Sequence, residues 1–227
     1  MRAAFLWSGG KDCCLSYQKA VKEGYEPVVL VTLMGEKPFL CHPLEVSALQ
    51  SRALGVPQIR VKVDEPYLAG YRKAISEIAK KHSIDTIISG DISIADSFHG
   101  NFMDQVFEGL DVKFYRPLWE RNRFEILQDY LSNGIKPIFT CLKKAWFDEK
   151  WLGRTLDDAC AKDLKNLSEK YGIDACGECG EYHTIVLDTP MFKKSIKIDG
   201  LEKGSKGDLL YMKPGKISLE LKTVRSL

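Results

Sequence analysis

Ala3-Ala4-Phe5-Leu6-Trp7-Ser8-Gly9-Gly10-Lys11-Asp12-Cys13-Cys14 is the stretch that decides the fold. Ala3 to Trp7 is an apolar run that reads as a buried strand. Lys11 to Glu23 reads as a helix, with Cys14, Tyr17 and Val21 on one face and Gly24 as its stop. The glycines between them let the backbone turn tightly and approach an anion closely. The helix start beyond offers unpaired N–H groups and a positive dipole end. Ser8 adds a hydroxyl donor and Lys11 a cation, while Asp12 is placed to hold Mg²⁺ that bridges phosphate oxygens. The set predicts a polyphosphate site; a bare turn of small residues would not require five specified types at this junction.

The loop is not a Walker A loop, which needs a glycine where Phe5 stands and Ser or Thr where Asp12 stands, and it lacks the G-x-G-x-x-G spacing of dinucleotide folds. Further along, Pro27 to Leu33 is a β-branched run typical of a strand buried on both faces. Pro43 to Leu54 reads as a helix, Gln58 to Val63 as a strand, Pro66 to His82 as a helix and Asp85 to Ser89 as a strand. Repeated β-α-β units predict a parallel sheet with helices on both faces, whose ligands bind beyond the carboxyl ends of the strands. Ser8-Gly9-Gly10 and Ser89-Gly90-Asp91 both stand at such ends and are expected to face one crevice.

The texture changes after Arg116-Pro117-Leu118-Trp119. Phe124 to Leu131 reads as a helix and Lys136 to Cys141 as a strand. Thr155 to Tyr171 reads as a helix opened by a Thr155-x-x-Asp158 capping pattern. From Thr184 the pattern is mostly β: Thr184 to Leu187, Lys193 to Ile198 and Ile217 to Thr223, with Lys203 to Lys216 reading as turns. The expected division is 1–121 for nucleotide binding and 122–227 for substrate binding.

Composition bounds the rest. In 227 residues, 44% are hydrophobic and 28% charged, enough to bury a core. The net charge of +2 does not call for nucleic acid as an obligatory partner. The longest apolar run, Val28 to Met34, falls far short of the roughly 20 residues a membrane span needs, and the N-terminal run ends too early for a signal peptide. A cytoplasmic protein is expected, its seven cysteines reduced, and a homodimer is compatible with it.

Ser8-Gly9-Gly10-Lys11-Asp12 resembles the PP-loop of the N-type ATP pyrophosphatases, and other segments narrow the likeness to the diphthine–ammonia ligase family. Ala48 to Pro57 resembles that family's LQARALGIP segment, and Ile88-Ser89-Gly90-Asp91-Ile92 its second nucleotide-side loop. Pro117-Leu118-Trp119 is similar to the end of its last sheet strand. Trp151-Leu152-Gly153-Arg154 is similar to its WLGR motif and Gly177-Glu178-Cys179-Gly180-Glu181-Tyr182 to its GEGGEY motif. Cys13 in place of Ser and Cys179 in place of Gly depart from the pattern, and the forms around Gly90 and Cys176 look like a bacterial-type branch. The resemblance implies an α/β fold: a parallel-sheet PP-loop domain (adenine nucleotide alpha hydrolase-like) followed by a smaller α+β domain. It also implies an enzyme that uses ATP and Mg²⁺ to adenylate a carboxylate-bearing substrate and passes the acyl group to ammonia or an amine.

Under that reading Ser8, Gly9, Gly10, Lys11, Asp12, His42, Ser89, Gly90 and Asp91 bind ATP. Trp151, Arg154, Glu178, Glu181 and His183 bind substrate, with Lys11, Asp12, Glu178 and Glu181 catalytic. The residues alone leave alternatives open. Arg154 suits a phosphate or carboxylate, or simply covers Trp151. His42 suits the base or ribose, or a helix cap. His183 suits acid–base work or a satisfied strand position. Ser97, His99 and Asn101 suit a loop over substrate. Cys176-x-x-Cys179 is half a zinc site, a sulfur-carrying pair or two inert thiols. A sulfurtransferase or a non-catalytic nucleotide sensor therefore competes with the ligase.

Overall fold

The computed structural model describes residues 1–35, 41–94 and 102–222, so Ser97, His99 and Asn101 lie outside the described residues. The chain forms two compact units. The first is Met1–Ser8, Asp12–Pro38 and Val56–Arg121; the second is Gly9–Lys11, Phe39–Gly55 and Asn122–Leu227. Among the described residues no helix is long and apolar enough to cross a membrane.

The first unit is built on a parallel sheet of β1 (Arg2–Leu6), β2 (Glu26–Met34), β3 (Gln58–Lys62), β4 (Thr86–Ile88) and β5 (Lys113–Tyr115), in the order β3-β2-β1-β4-β5. Helix α1 (Lys11–Lys22) follows β1 directly, and α2 (Leu44–Leu54) of the second unit lies between β2 and β3 in sequence. Helices α3 (Tyr67–His82) and α4 (Phe102–Phe107) follow β3 and β4. The β-branched character of β2 has its reason here: Val29 and Val31 are buried with Ala4 of β1, Ile75 and Ile78 of α3 and Ile87 of β4. Each such aliphatic side chain contributes about 1.5–3 kcal/mol when fully buried. The strand order reverses between β1 and β4, the switch point where ligands bind in such sheets. Helix α4 and strand β5 carry no periodic signal, because six and three residues are too few to show one.

The second unit holds an antiparallel sheet of β6 (Lys136–Lys143), β7 (Tyr182–Asp188), β8 (Lys194–Lys206) and β9 (Leu209–Leu221), ordered β7-β6-β9-β8. Helix α2 packs on β8 and β9, and α5 (Arg123–Ser132) on α6 (Asp158–Tyr171). Asn122 caps α5 by accepting from the amides of Phe124 and Glu125.

Two sequence expectations are corrected in this unit. Helix α6 opens at Asp158, not at Thr155: Asp157 is the cap, accepting from the Cys160 amide at 2.8 Å, while Thr155 forms an antiparallel bridge with Ile138. Lys203 to Lys216 is not a series of turns but the turn half of a long hairpin, with Lys206 paired to Leu209 around Gly207-Asp208. Its glycines answer close approach. A Cβ on Gly204 would lie 2.4 Å from the Tyr211 ring, and one on Gly215 would lie 2.4 Å from the Asp199 carbonyl oxygen.

Candidate functional site

In the first unit, parallel pairing of Ala3 with Thr86 and Phe5 with Ile88 brings the ends of β1 and β4 to one edge of the sheet. Gly90 passes so close to the start of α1 that a Cβ there would meet Cys13 N at 2.6 Å and Asp12 C at 2.7 Å. Only glycine permits that approach. Buried Ser89 donates its hydroxyl to Asp91 Oδ2 at 2.9 Å. Burial raises the Asp91 carboxyl; the Ser89 bond and Arg116 oppose this, while the charges of Asp12 and Asp104 add to it. Arg116 itself is fixed by Asp104 at 2.7 Å and by the Trp119 ring, 3.5 Å away. Asp12 and Asp91 are thus two carboxylates within electrostatic reach of each other, and a divalent cation would relieve their repulsion. Oxygen donors of this kind would suit Mg²⁺. Half-buried Ser8 donates its hydroxyl to Cys13 Sγ at 3.7 Å.

In the second unit, Gly9, Gly10 and Lys11 are tied to β7 and α2. The Gly9 carbonyl accepts from the Val186 amide at 2.9 Å and from Gln50 Nε2 at 2.9 Å. Gln50, fully buried, gives the same nitrogen to the Val186 carbonyl at 2.8 Å. Gly9 has φ +83°, and a Cβ there would stand 2.5 Å from Gln50 Oε1. The Lys11 amide donates to Thr184 Oγ1 at 3.2 Å, so that one loop amide is already engaged within the protein. The Lys11 side chain is only 3% exposed, with Nζ 5.0 Å from the Tyr182 ring centre and 5.6 Å from that of Tyr130. Aromatic faces attract an ammonium group, and the two rings hold the end of the Lys11 side chain. His42 stands edge-to-face with His183 at 5.2 Å. Burial pushes its pKa down to about 3, helped by His183 and Lys11. It is therefore neutral at physiological pH, and its buried Nδ1 has no partner among the described residues.

The other candidates of this unit divide into two groups. Arg154 gives a guanidinium nitrogen to Asp163 at 2.7 Å and lies over the Trp151 ring at 4.5 Å, and Trp151 packs on Phe139 and Phe147. The pair is a packed structural corner, whatever else it touches. Glu178 and Glu181 flank Cys179 in a loop opened by Asp174, whose Oδ1 accepts from the Cys176 amide. Buried Glu181 accepts from the Asp174 amide through Oε1 at 3.0 Å. Cys176 is buried, its thiol donating to the Arg123 carbonyl at 3.3 Å. The Cys179 thiol is raised by burial and then by the charges of Glu181, Asp174 and Glu178. The setting of Cys179 does not favour a thiolate. Among the described residues no three His, Cys, Asp or Glu side chains are grouped to hold a metal.

Sequence reasoning passed over Gln50, Thr184, Tyr130, Arg123 and Asp174 as site-builders. Of these, Gln50 lies inside the Ala48 to Pro57 segment that resembles the family, the one signal available for it.

The profile of the diphthamide synthase N-terminal domain matches residues 1–114, and that of the diphthamide synthase C-terminal domain matches residues 122–217. The diphthine–ammonia ligase of Mus musculus is 27% identical, across 89% of this chain and 84% of its own. That of Danio rerio is 29% identical, across 89% and 88%. A predicted subunit of tRNA methyltransferase from Methanocaldococcus jannaschii aligns with a TM-score of 0.45 at 14% identity, covering 84% of this chain and 98% of that one. A likeness that distant bears on neither fold nor function.

Proposed function

The chain belongs to the diphthamide synthase family, and on that premise we propose that it is an ATP-dependent, AMP-forming ligase that joins a carboxylate to ammonia or an amine. A carboxylate oxygen of the acceptor attacks the α-phosphorus of ATP, and the bond to pyrophosphate breaks. The nitrogen donor then attacks the acyl carbon, AMP leaves, and a proton passes to solvent as the amide forms. The relatives' name makes a diphthine-bearing acceptor the one to try first.

The chain's own residues bind and hold charge in place. Ser8, Gly9, Gly10 and Lys11 take the pyrophosphate end, with the Lys11 ammonium set against the charge that builds on the leaving group. Asp12 and Asp91 would hold Mg²⁺, which would supply positive charge against the phosphate oxygens. Ser89 orients Asp91, and Gly90 leaves the room its neighbours need. His42, kept neutral, offers a hydrogen bond to the base or ribose. Glu178, Glu181 and His183 meet the acceptor and the amine, with Trp151 and Arg154 forming the wall behind them.

The observation that carries this reading is the buried Lys11 ammonium on a loop whose backbone is anchored by Gln50, Thr184 and Val186. A lysine side chain on a glycine loop of this pattern, at the start of a helix, is placed to meet an anionic ligand. The sulfurtransferase alternative is disfavoured by the Cys176 hydrogen bond and the raised Cys179 thiol. The test is nucleotide product analysis with Mg²⁺, ammonium and a diphthine-bearing acceptor. AMP and pyrophosphate are expected, retained in a Cys176→Ser, Cys179→Ser double variant and reduced at least a hundredfold in Lys11→Met (about 2.7 kcal/mol or more). Loss of activity in the cysteine variant would favour the sulfur reading, and tight ATP binding without turnover would favour a sensor.

A further inference from the structure

Within the second unit a cavity of about 440 Å³ opens between the start of α5 and the end of α6, lined by Asn122, Arg123, Ser168, Asp174, Cys179 and Glu181 among others. Glu181 is 4% exposed; its Oε1 accepts from the Asp174 amide, but its buried Oε2 has no partner among the described residues. A buried acceptor left unmatched is costly, so the fold has a reason to keep it. The surroundings are negative. Asp174 accepts from Arg123 Nε through Oδ2 at 2.6 Å and from the Cys176 amide through Oδ1, so its carboxylate is already engaged on both oxygens. The carbonyl end of α6, capped at Gly172, contributes the negative pole of a helix dipole. The Cys179 thiol, raised in part by Glu181, Asp174 and Glu178, reports the same potential. The chain continues from Glu181 into Tyr182, whose ring carries Lys11.

We propose that this cavity binds the nitrogen donor of the reaction, as ammonium or as the head of a primary alkylammonium, with Glu181 Oε2 as its anchor. That the occupant is the nitrogen donor rests on the ligase reading above; that a small cation bearing N–H groups binds here does not. The cavity is much larger than a lone ammonium, since a water takes about 30 Å³ of liquid volume. It therefore admits either ammonium with waters or an amine carrying a substituent.

The test uses the full chain without nucleotide. ¹⁵N-ammonium is titrated at constant ionic strength in sodium chloride and followed by ¹⁵N-edited proton NMR. Saturable broadening of the ammonium signal is expected, weakened at least tenfold in Glu181→Gln, which keeps Oε1 for the Asp174 amide. It is expected to be unchanged in Glu169→Gln, on the exposed side of α6. Methylammonium is expected to compete, whereas tetramethylammonium, which has no N–H donor, is not; this arm needs no variant to fold. Absence of saturable broadening, equal binding in Glu181→Gln, or equal competition by tetramethylammonium would overturn the proposal. AMP formation measured alongside separates the two readings. Adenylation without ammonium binding removes this site and leaves the ligase. Ammonium binding without any AMP keeps the cation site and removes the ligase.

Discussion

Gln50 holds two carbonyls with one amide nitrogen, and its oxygen occupies the place where a Gly9 side chain would have to go. Gln50→Leu strands the Val186 carbonyl and removes one of the two donors on Gly9. We expect a loss of about 1–3 kcal/mol in urea denaturation, together with a raised KM for ATP because the loop loses its anchor. Gly9→Ala adds a Cβ at 2.5 Å from Gln50 Oε1 on a residue with φ +83°, and is expected to abolish ATP-dependent AMP release. An unaltered KM in both variants would show that the loop does not hold nucleotide.

His42 gives a pH dependence whose sign follows from its surroundings. Unfolded, the imidazole protonates near its ordinary value of 6.5; folded, it resists protonation until about pH 3. Between these values the unfolded state binds the extra proton, so stability falls as pH falls, and what is present above about 6.5 is progressively lost on acidification. From pH 7.5 to 5 this residue alone is expected to cost about 1–2 kcal/mol. Denaturation midpoints at the two pH values should differ less in His42→Asn than in the wild type, and equal differences would contradict the assignment.

At the scale of elements, the cap of α6 separates reading from structure. Asp157→Ala is expected to cost about 1 kcal/mol by thermal or urea melting, and Thr155→Ala less than about 0.5. The reverse order would restore Thr155 as the cap. Both residues fit a capping pattern, and what decides between them is the bridge from Thr155 to Ile138, a contact the local sequence cannot display. The β8–β9 hairpin was hidden for a similar reason. Gly204 and Gly215 look like turn residues, but they serve the approach of Tyr211 and of the backbone at Asp199 and Gly200. By contrast β1, β2 and α3 were legible, because burial on both faces or along one stripe leaves a period in the sequence.

At the scale of the molecule, the alternation of strand and helix sufficed for the parallel sheet and for the meeting of the β1 and β4 ends. It could not reveal that Gly9–Lys11 cohere with the second unit. That depends on Gln50, 41 positions from Gly9, and on Thr184, 173 positions from Lys11. The loop pattern predicts a phosphate site, but the side chains that set its backbone come from distant parts of the chain. In the proposed reaction a substrate carboxylate is joined to the α-phosphate of ATP before nitrogen arrives. It is tested most directly by labelling the acceptor carboxylate with ¹⁸O and weighing the nucleotide product. One ¹⁸O in the phosphate of AMP is the predicted result; label in pyrophosphate or inorganic phosphate, or AMP without label, would contradict it.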